Sequence, residues 1–295
     1  MTGTVLSNHL CASPRWPRQG LFASACLLLL LGAAGARPSP PPAAAAGGEF
    51  TAATLNIWHD QRDWPARRAV VLDTLRVLAP DVLFLQEVLE KEGLPNQARQ
   101  LADSLGWACV FASVDPPGAA KRYGNAILTR HRILAWAEVK LAPLDDYRVA
   151  AHARLDIRGR VLDAYVTHLH HTDAGGHIRA EQVRGLLAFV DSTRGDGAVV
   201  VGGDFNAEPA APELAPLRAR FGDGYGAIHA GTEAAPVTTL NPAVGHAPRR
   251  IDHLFFEPRR LRPVAAAIFL DAPTPAGVWA SDHFGVWARF QRLER

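Results

Sequence analysis

Several short apolar runs in this chain break off at a polar side chain, and this constrains the fold more than any other feature. In VLFLQEV, Glu87 follows residues that belong in a buried strand, and in TLNIW Asn56 has the same setting. AVVVGGDFN, Ala198 to Asn206, is a third such run and leads to Asp204. A buried carboxylate is costly unless a cation or hydrogen-bond donors compensate it. The fold must therefore supply such partners where these strands end, unless the polar residues are only loop anchors.

The runs alternate with helical patterns. Phe50 to Trp58 reads as a strand, Trp64 to Leu78 as a helix stopped by Pro80, and Asp81 to Val88 as a buried strand. A helix is expected over Asn96 to Leu105 and another over Ile178 to Val190, with a strand over Trp107 to Ala112. Ala153 to Leu169 reads as two strands around a tight turn at Arg158 and Gly159, and late strands are expected at Ile251 to Phe256, Val264 to Leu270 and Phe284 to Phe290. Hairpins mixed with helical crossovers argue for a layered α/β fold, two packed sheets with helices outside. No G-x-G-x-x-G loop follows the first strand, which disfavours a dinucleotide-binding domain.

The 295 residues, 48% of them apolar, suffice for one large domain. The first 48 are set apart by composition. Arg15 and Arg18 precede a leucine-rich run, Leu27 to Leu31, and small residues ending at Ala34 and Ala36, so residues 1–36 read as an export signal, with an uncleaved membrane anchor as the alternative. Residues 37–48, rich in Pro and Ala, read as a disordered tether, and residues 49–295 as the catalytic domain. The expected location is the periplasm or the cell exterior. Removing residues 1–36 takes Arg15 and Arg18 and no acidic residue, so 31 basic residues become 29, equal to the 29 acidic ones. That balance argues against a long nucleic-acid footprint and leaves short nucleic acids and small phosphoesters open. Cys109 would be the one cysteine left, so no internal disulfide is expected.

The polar interruptions carry the chemistry. Glu87 suits a hard divalent cation such as Mg²⁺ or Mn²⁺, and Asn56 suits support of its water or of phosphate. Two glycines before Asp204 are expected to let the backbone turn closely against a ligand, and Asp204 and Asn206, two residues apart, can face one site; an Asx turn is the plainer reading. VTHLHHTDAGGH holds His168, His170, His171 and His177 without a zinc-site spacing. His168, directly after a strand, can donate to a phosphoryl oxygen; His170 and His171 fit a solvated loop equally well, and His177 fits a helix start. Asp252 in RRIDHLFF can orient His283 in WASDHFGVWARF, with Asp282 at the metal.

Taken in order, TLNIW, FLQEV, RYGNAIL, VTHLHH, GGDFN, RIDHLFF and SDHFGV resemble the motifs of the endonuclease/exonuclease/phosphatase superfamily, over nearly all of Thr51 to Phe290. The resemblance implies a four-layered α/β sandwich, two mixed β-sheets flanked by helices, with a pocket at one edge. It implies Glu87, Asn56 and Asp282 at one or two Mg²⁺ or Mn²⁺ ions, Asp204 orienting the water, Asn206 on the scissile phosphate, His283 with Asp252 as base or phosphate-stabilising group, and His168 on phosphoryl oxygen. Tyr123 and Asn125 would line the pocket, and Arg148 is a phosphate contact or a solvated loop residue. The implied activity is hydrolysis of a nucleic-acid or phospholipid phosphodiester, with a phosphomonoester as the alternative. A monomer without an obligate protein partner is expected. A non-catalytic phosphate-binding protein is disfavoured because Glu87, Asp204 and His283 are all present.

Overall fold

The computed structural model describes residues 48–230 and 237–294. The expected export signal and nearly all of the tether lie outside them. The chain runs β1 (Glu49–Asn56), α1 (Trp64–Leu78), β2 (Val82–Lys91), α2 (Gln97–Leu105), β3 (Ala108–Ser113), β4 (Lys121–Thr129), β5 (Arg132–Lys140), β6 (Val149–Ile157), β7 (Arg160–His168), α3 (Gly176–Thr193) and β8 (Ala198–Asp204). It continues through α4 (Ala215–Arg218), β9 (Gly222–Asp223), α5 (Gly224–His229), β10 (Asp252–Phe256), β11 (Leu261–Phe269) and β12 (Gly285–Arg292). Two six-stranded mixed sheets result, ordered β11-β12-β1-β2-β4-β3 and β5-β6-β7-β8-β10-β9. Each has a parallel pair at its middle, β1 with β2 and β7 with β8.

Period-two alternation builds the layers. Phe50, Ala52, Val82 and Phe84 of the first sheet meet Leu162, Ala164, Val166, Ala198 and Val200 of the second in a core between the sheets. The alternate residues, Ala53, Leu55, Leu83 and Leu85, face outward onto Val71, Leu72 and Leu75 of α1, and Val199 and Val201 face Val183, Leu186 and Val190 of α3. The four-layered sandwich implied by the resemblance is thus the observed fold. Local signals set the helix ends. Asp63 caps α1 by accepting from the Ala66 N–H, and α1 ends on Ala79 in a left-handed conformation just before Pro80. Asn96 caps α2, and Gly106 closes it at φ 69°.

The expected elements fall close to their places, and β4, β5, α4, β9 and α5 are additions. β5 was not expected; it is an edge strand with both faces partly open, so RILAWAEVK lacks clean alternation. The paired glycines also do something other than expected. Gly202 and Gly203 lie inside β8, not in a turn. A Cβ on Gly202 would come within 2.1 Å of the Phe84 ring, and one on Gly203 within 2.1 Å of the Thr167 carbonyl oxygen. They let the sheets and strands close up next to Asp204.

Opposite that end, Asp81 fastens the sheets together. Its Oδ2 accepts from the Thr51 N–H at 2.8 Å and Oγ1 at 3.1 Å. Its Oδ1 accepts from Arg130 Nη2 at 2.8 Å and from Arg158 Nη2 at 3.0 Å, and lies 2.7 Å from His131 Nε2. Arg158 sits in the β6–β7 turn of the other sheet. Burial alone would raise the Asp81 pKa, but the hydrogen bonds from His131, Thr51 and Arg130 outweigh it and hold the carboxyl well below the usual range. A depressed carboxylate contributes stability that is complete above the unfolded value near 3.9 and is lost as pH falls below it. Asp81→Asn should therefore cost about 2 kcal/mol at neutral pH, the arginines being partly solvated, and flatten the acid limb of stability. Urea unfolding at neutral and acidic pH checks this; parallel acid limbs in the two proteins would refute it.

Candidate functional site

At the other end, the inner faces of both sheets change from apolar to polar together. β1 ends on Asn56, β7 on His168 and β8 on Asp204, while β10, running the opposite way, begins with Asp252. Pairing sets His168 and Asp252 on either side of Asp204, one on each neighbouring strand. Asn56 Nδ2 donates across the gap between sheets to Asp204 Oδ2 at 3.1 Å, and also to Glu87 Oε1 at 3.2 Å.

Glu87 reaches that position through a backbone irregularity. Strict alternation gives the inner face to Gln86, whose Oε1 accepts from Thr54 Oγ1. The β2–β4 register shifts between Leu85 and Val88, and Glu87 adopts φ 59°. A bulge with a left-handed residue re-aims a side chain. Asn56 has a different part from the one expected. Its Oδ1 accepts from the Trp58 N–H at 3.0 Å while its NH₂ serves two carboxylates, so in this orientation it clamps Glu87 and Asp204 and offers no oxygen to a cation.

The loop before β12 supplies Ser281, Asp282 and His283. His283 Nδ1 lies 2.9 Å from Asp252 Oδ2, the pairing expected from the sequence, and its Nε2 lies 3.8 Å from Asp204 Oδ2. Burial, then the charge of Asp252, pushes Asp204 up to about 7, against His283, the Asn206 N–H and Asn56. Burial disfavours a charged His283, but Asp252 and Asp204 outweigh it and hold the imidazolium well above its ordinary range. His168, with Nε2 3.4 Å from Asp204 Oδ2, is driven the other way by burial and then by Arg148, so it stays neutral.

These groups open onto a cavity of about 540 Å³, also lined by Tyr123, Arg148 and Asn206. Burial and the nearby Glu87 charge raise the Tyr123 hydroxyl, keeping it protonated as a donor. Arg148 is buried against the cavity, not in a solvated loop, and its Nη2 is 3.2 Å from His171 Nδ1. Asn206 takes φ 48°, its N–H donating to Asp204 Oδ1 at 2.9 Å, so the Asx turn and the site coexist. Asn125 is buried behind the wall, donating to the Val149 carbonyl, and does not line the cavity. His170 is likewise no solvated residue: its Nδ1 is 2.7 Å from Asp146 and its Nε2 2.7 Å from Thr172.

Three contributors escaped the sequence reading. His246 Nε2 lies 3.2 Å from Asp282 Oδ2, and Arg249 joins the rim, but neither follows an apolar run that would have flagged it. Arg67, inside α1, donates to the carbonyls of Ile57 at 2.6 Å, His59 at 2.7 Å and Ala280 at 2.9 Å. It thereby fixes the β1–α1 loop beside the segment carrying Asp282. An arginine on an otherwise ordinary helix gives no signal of this.

The donor set fits a hard divalent cation. Glu87 and Asp282 present carboxylates to one polar cavity, and the buried Asp204 and Asp252 next to them lack full compensation, Asp252 Oδ1 having no hydrogen-bond partner among the described residues. Asp204, Asp252 and His283 offer ligand atoms within 4.8 Å of one another, yet Asp252 and Asp204 keep His283 protonated and without a free lone pair, so Glu87 and Asp282 are the better holders.

Oxygen ligands, a cationic imidazole and a guanidinium converging where parallel strands end are the equipment of a phosphoester hydrolase. Residues 53–283 match the model of the Endonuclease/Exonuclease/phosphatase family, and the chain belongs to that family. It is similar to Nocturnin of Drosophila melanogaster, 27% identical over 277 residues that cover 78% of this chain and 42% of that protein, so it spans less than half of that relative's length. Among solved structures it resembles the human Nocturnin catalytic domain with a bound sulfate anion, at TM-score 0.67 and 22% identity, covering 83% of this chain and 94% of that one. It also resembles TDP2 of D. rerio complexed with a single-strand DNA product, at TM-score 0.68 and 19% identity, covering 82% and 99%.

If Glu87 holds a cation, saturating Mg²⁺ or Mn²⁺ should raise wild-type stability by about 2.7 kcal/mol at a hundredfold excess over Kd. Glu87→Gln should lose most of that gain. Thermal unfolding with and without chelator measures it, and an equal gain in both proteins would move the ion elsewhere.

Proposed function

We propose that the chain is an exported, divalent-metal-dependent phosphodiesterase that hydrolyses a nucleic-acid or phospholipid phosphodiester by in-line attack of water. The observation that carries this reading is the position of Asp204 Oδ2, approached by Asn56 from one sheet, by His168 from its own sheet, and by His283 from the loop before β12. A carboxylate raised to about 7 is matched to accepting a proton from water at neutral pH. In the proposed mechanism Asp204 takes that proton, with its Oδ1 fixed by the Asn206 N–H.

His283, kept cationic by Asp252, directs Nε2 toward the reacting phosphoryl group and stabilises charge that builds on its oxygens. Neutral His168 and Asn206, both in the cavity wall, orient the phosphate. Glu87 and Asp282 would hold a divalent ion, which would supply further neutralisation of the phosphate charge. Mg²⁺ is the proposed ion, with Mn²⁺ able to replace it. The expected leader at residues 1–36 supports export, and a monomer is the proposed working form. A phosphomonoester reading has one observation in its favour: the buried Arg148, whose Nε lies 3.7 Å from Asp146 but has no hydrogen-bond partner among the described residues, could meet the extra charge of a terminal phosphate.

Purified protein should nick supercoiled DNA with Mg²⁺ and stop when the metal is chelated. His283→Ala should reduce the rate by about 10²- to 10⁴-fold. Parallel assays with bis(4-nitrophenyl) phosphate and 4-nitrophenyl phosphate separate diester from monoester. Turnover of the monoester alone would replace the diesterase reading, and unchanged nicking by His283→Ala would remove His283 from the mechanism.

A further inference from the structure

The pole opposite the catalytic cavity holds a second concavity, of about 580 Å³, between the β6–β7 turn, the start of β8, the β10–β11 turn and the end of β12. Arg160, Arg259, Arg260 and Arg292 line it, against two carboxylates, Asp196 and Glu294. The other acidic groups at this pole are already matched. Asp81 takes Arg130 and Arg158, Asp156 takes Arg132, and Glu257 is shared by Arg194 and Arg260. Arg160, Arg259 and Arg292 have no carboxylate within 4 Å among the described residues.

Arg292 is the built part of this surface. Its Nη1 donates to the Val161 carbonyl at 2.9 Å, and its guanidinium lies over the Phe50 ring at 5.1 Å. Burial, then the neighbouring charge of Arg160, lowers its pKa to about 10, against the charge of Asp81. Leu293, beside it in the cavity wall, is 39% exposed. The described residues start here too, with Glu49 paired to Gln291.

We propose that this arginine-rich pole docks the protein on an anionic lipid surface, its concavity receiving phosphate-bearing headgroups. Unmatched arginines around an exposed leucine suit a charged interface better than a nucleic-acid strand, which calls for a long basic track. The docked orientation has a geometric consequence. Arg160 and His168 are the two ends of β7, nine residues and so roughly 27 Å apart. The catalytic cavity then faces away from the bound bilayer and takes its substrate from the aqueous side. The proposal does not depend on which phosphoester is cleaved.

The test is cosedimentation of the full chain with vesicles of phosphatidylcholine alone or with roughly one-third phosphatidylserine. The wild type should bind the anionic vesicles at least ~10-fold more tightly, and that excess should vanish in ~1 M salt, where screening is complete within about 3 Å. The double variant Arg160→Glu, Arg259→Glu, both exposed and remote from the cavity, should lose the excess while retaining Mg²⁺-dependent turnover in the absence of vesicles, which also shows that it folds. Equal binding by wild type and variant, or equal binding to neutral and anionic vesicles, overturns the proposal. Variant-sensitive binding of single-stranded DNA or of inorganic phosphate, without vesicle binding, overturns it in favour of those anions.

Discussion

The hydrogen bond from Asn56 to Asp204 is the constraint on which the rest of the site depends. It spans the two sheets, both partners are buried, and it joins the last residue of a central strand in one sheet to the last residue of its counterpart in the other. Such a bond holds only if the sheets approach closely there, and the approach is made possible by Gly202 lying flat against Phe84. Around that contact every further group is placed by ordinary strand geometry. His168 and Asp252 flank Asp204 by register alone, and a single bulge brings in Glu87.

Much of this was legible before any coordinates, for a physical reason. Inner-face residues alternate in sequence, so an apolar alternation that stops at Asn56, His168 or Asp204 locates the polar end of the sandwich directly. Asp252 and His283 could be paired because their chemistry is complementary. What stayed hidden was whatever depends on direction. The sequence reading gave Asn56 to the metal, whereas the Trp58 N–H claims its carbonyl and turns the amide the other way. Asn125 was expected in the wall and lies behind it. The left-handed backbone at Glu87 has no local signature, since neither glycine nor asparagine marks it, and His246 and Arg249 come from a loop that no periodicity describes.

The two poles divide the labour of electrostatics. At one end Asp204 is buried beside the charge of Asp252, and its proton affinity near neutrality follows from that burial first and that neighbour second. At the other, Asp81 is surrounded by donors and ionised, pinning β1, the β4–β5 turn and the β6–β7 turn to the start of β2. The same residue type thus holds a proton near neutrality in one setting and is a rivet in the other, with the balance of burial against donors deciding which.

The pairing of β1 with β12 has a bearing on how the protein comes into being. The hydroxyl of Ser281 donates to the carbonyl of Asn56, 225 positions earlier, and β12 completes the sheet in which β1 is central. During synthesis β1 emerges with one edge unpaired, and the segment carrying Asp282 and His283 arrives only with the last strand. Contacts of such long separation form late. The chain therefore has no assembled site while it is still growing, and a hydrolase built in this order is harmless until β12 is in place.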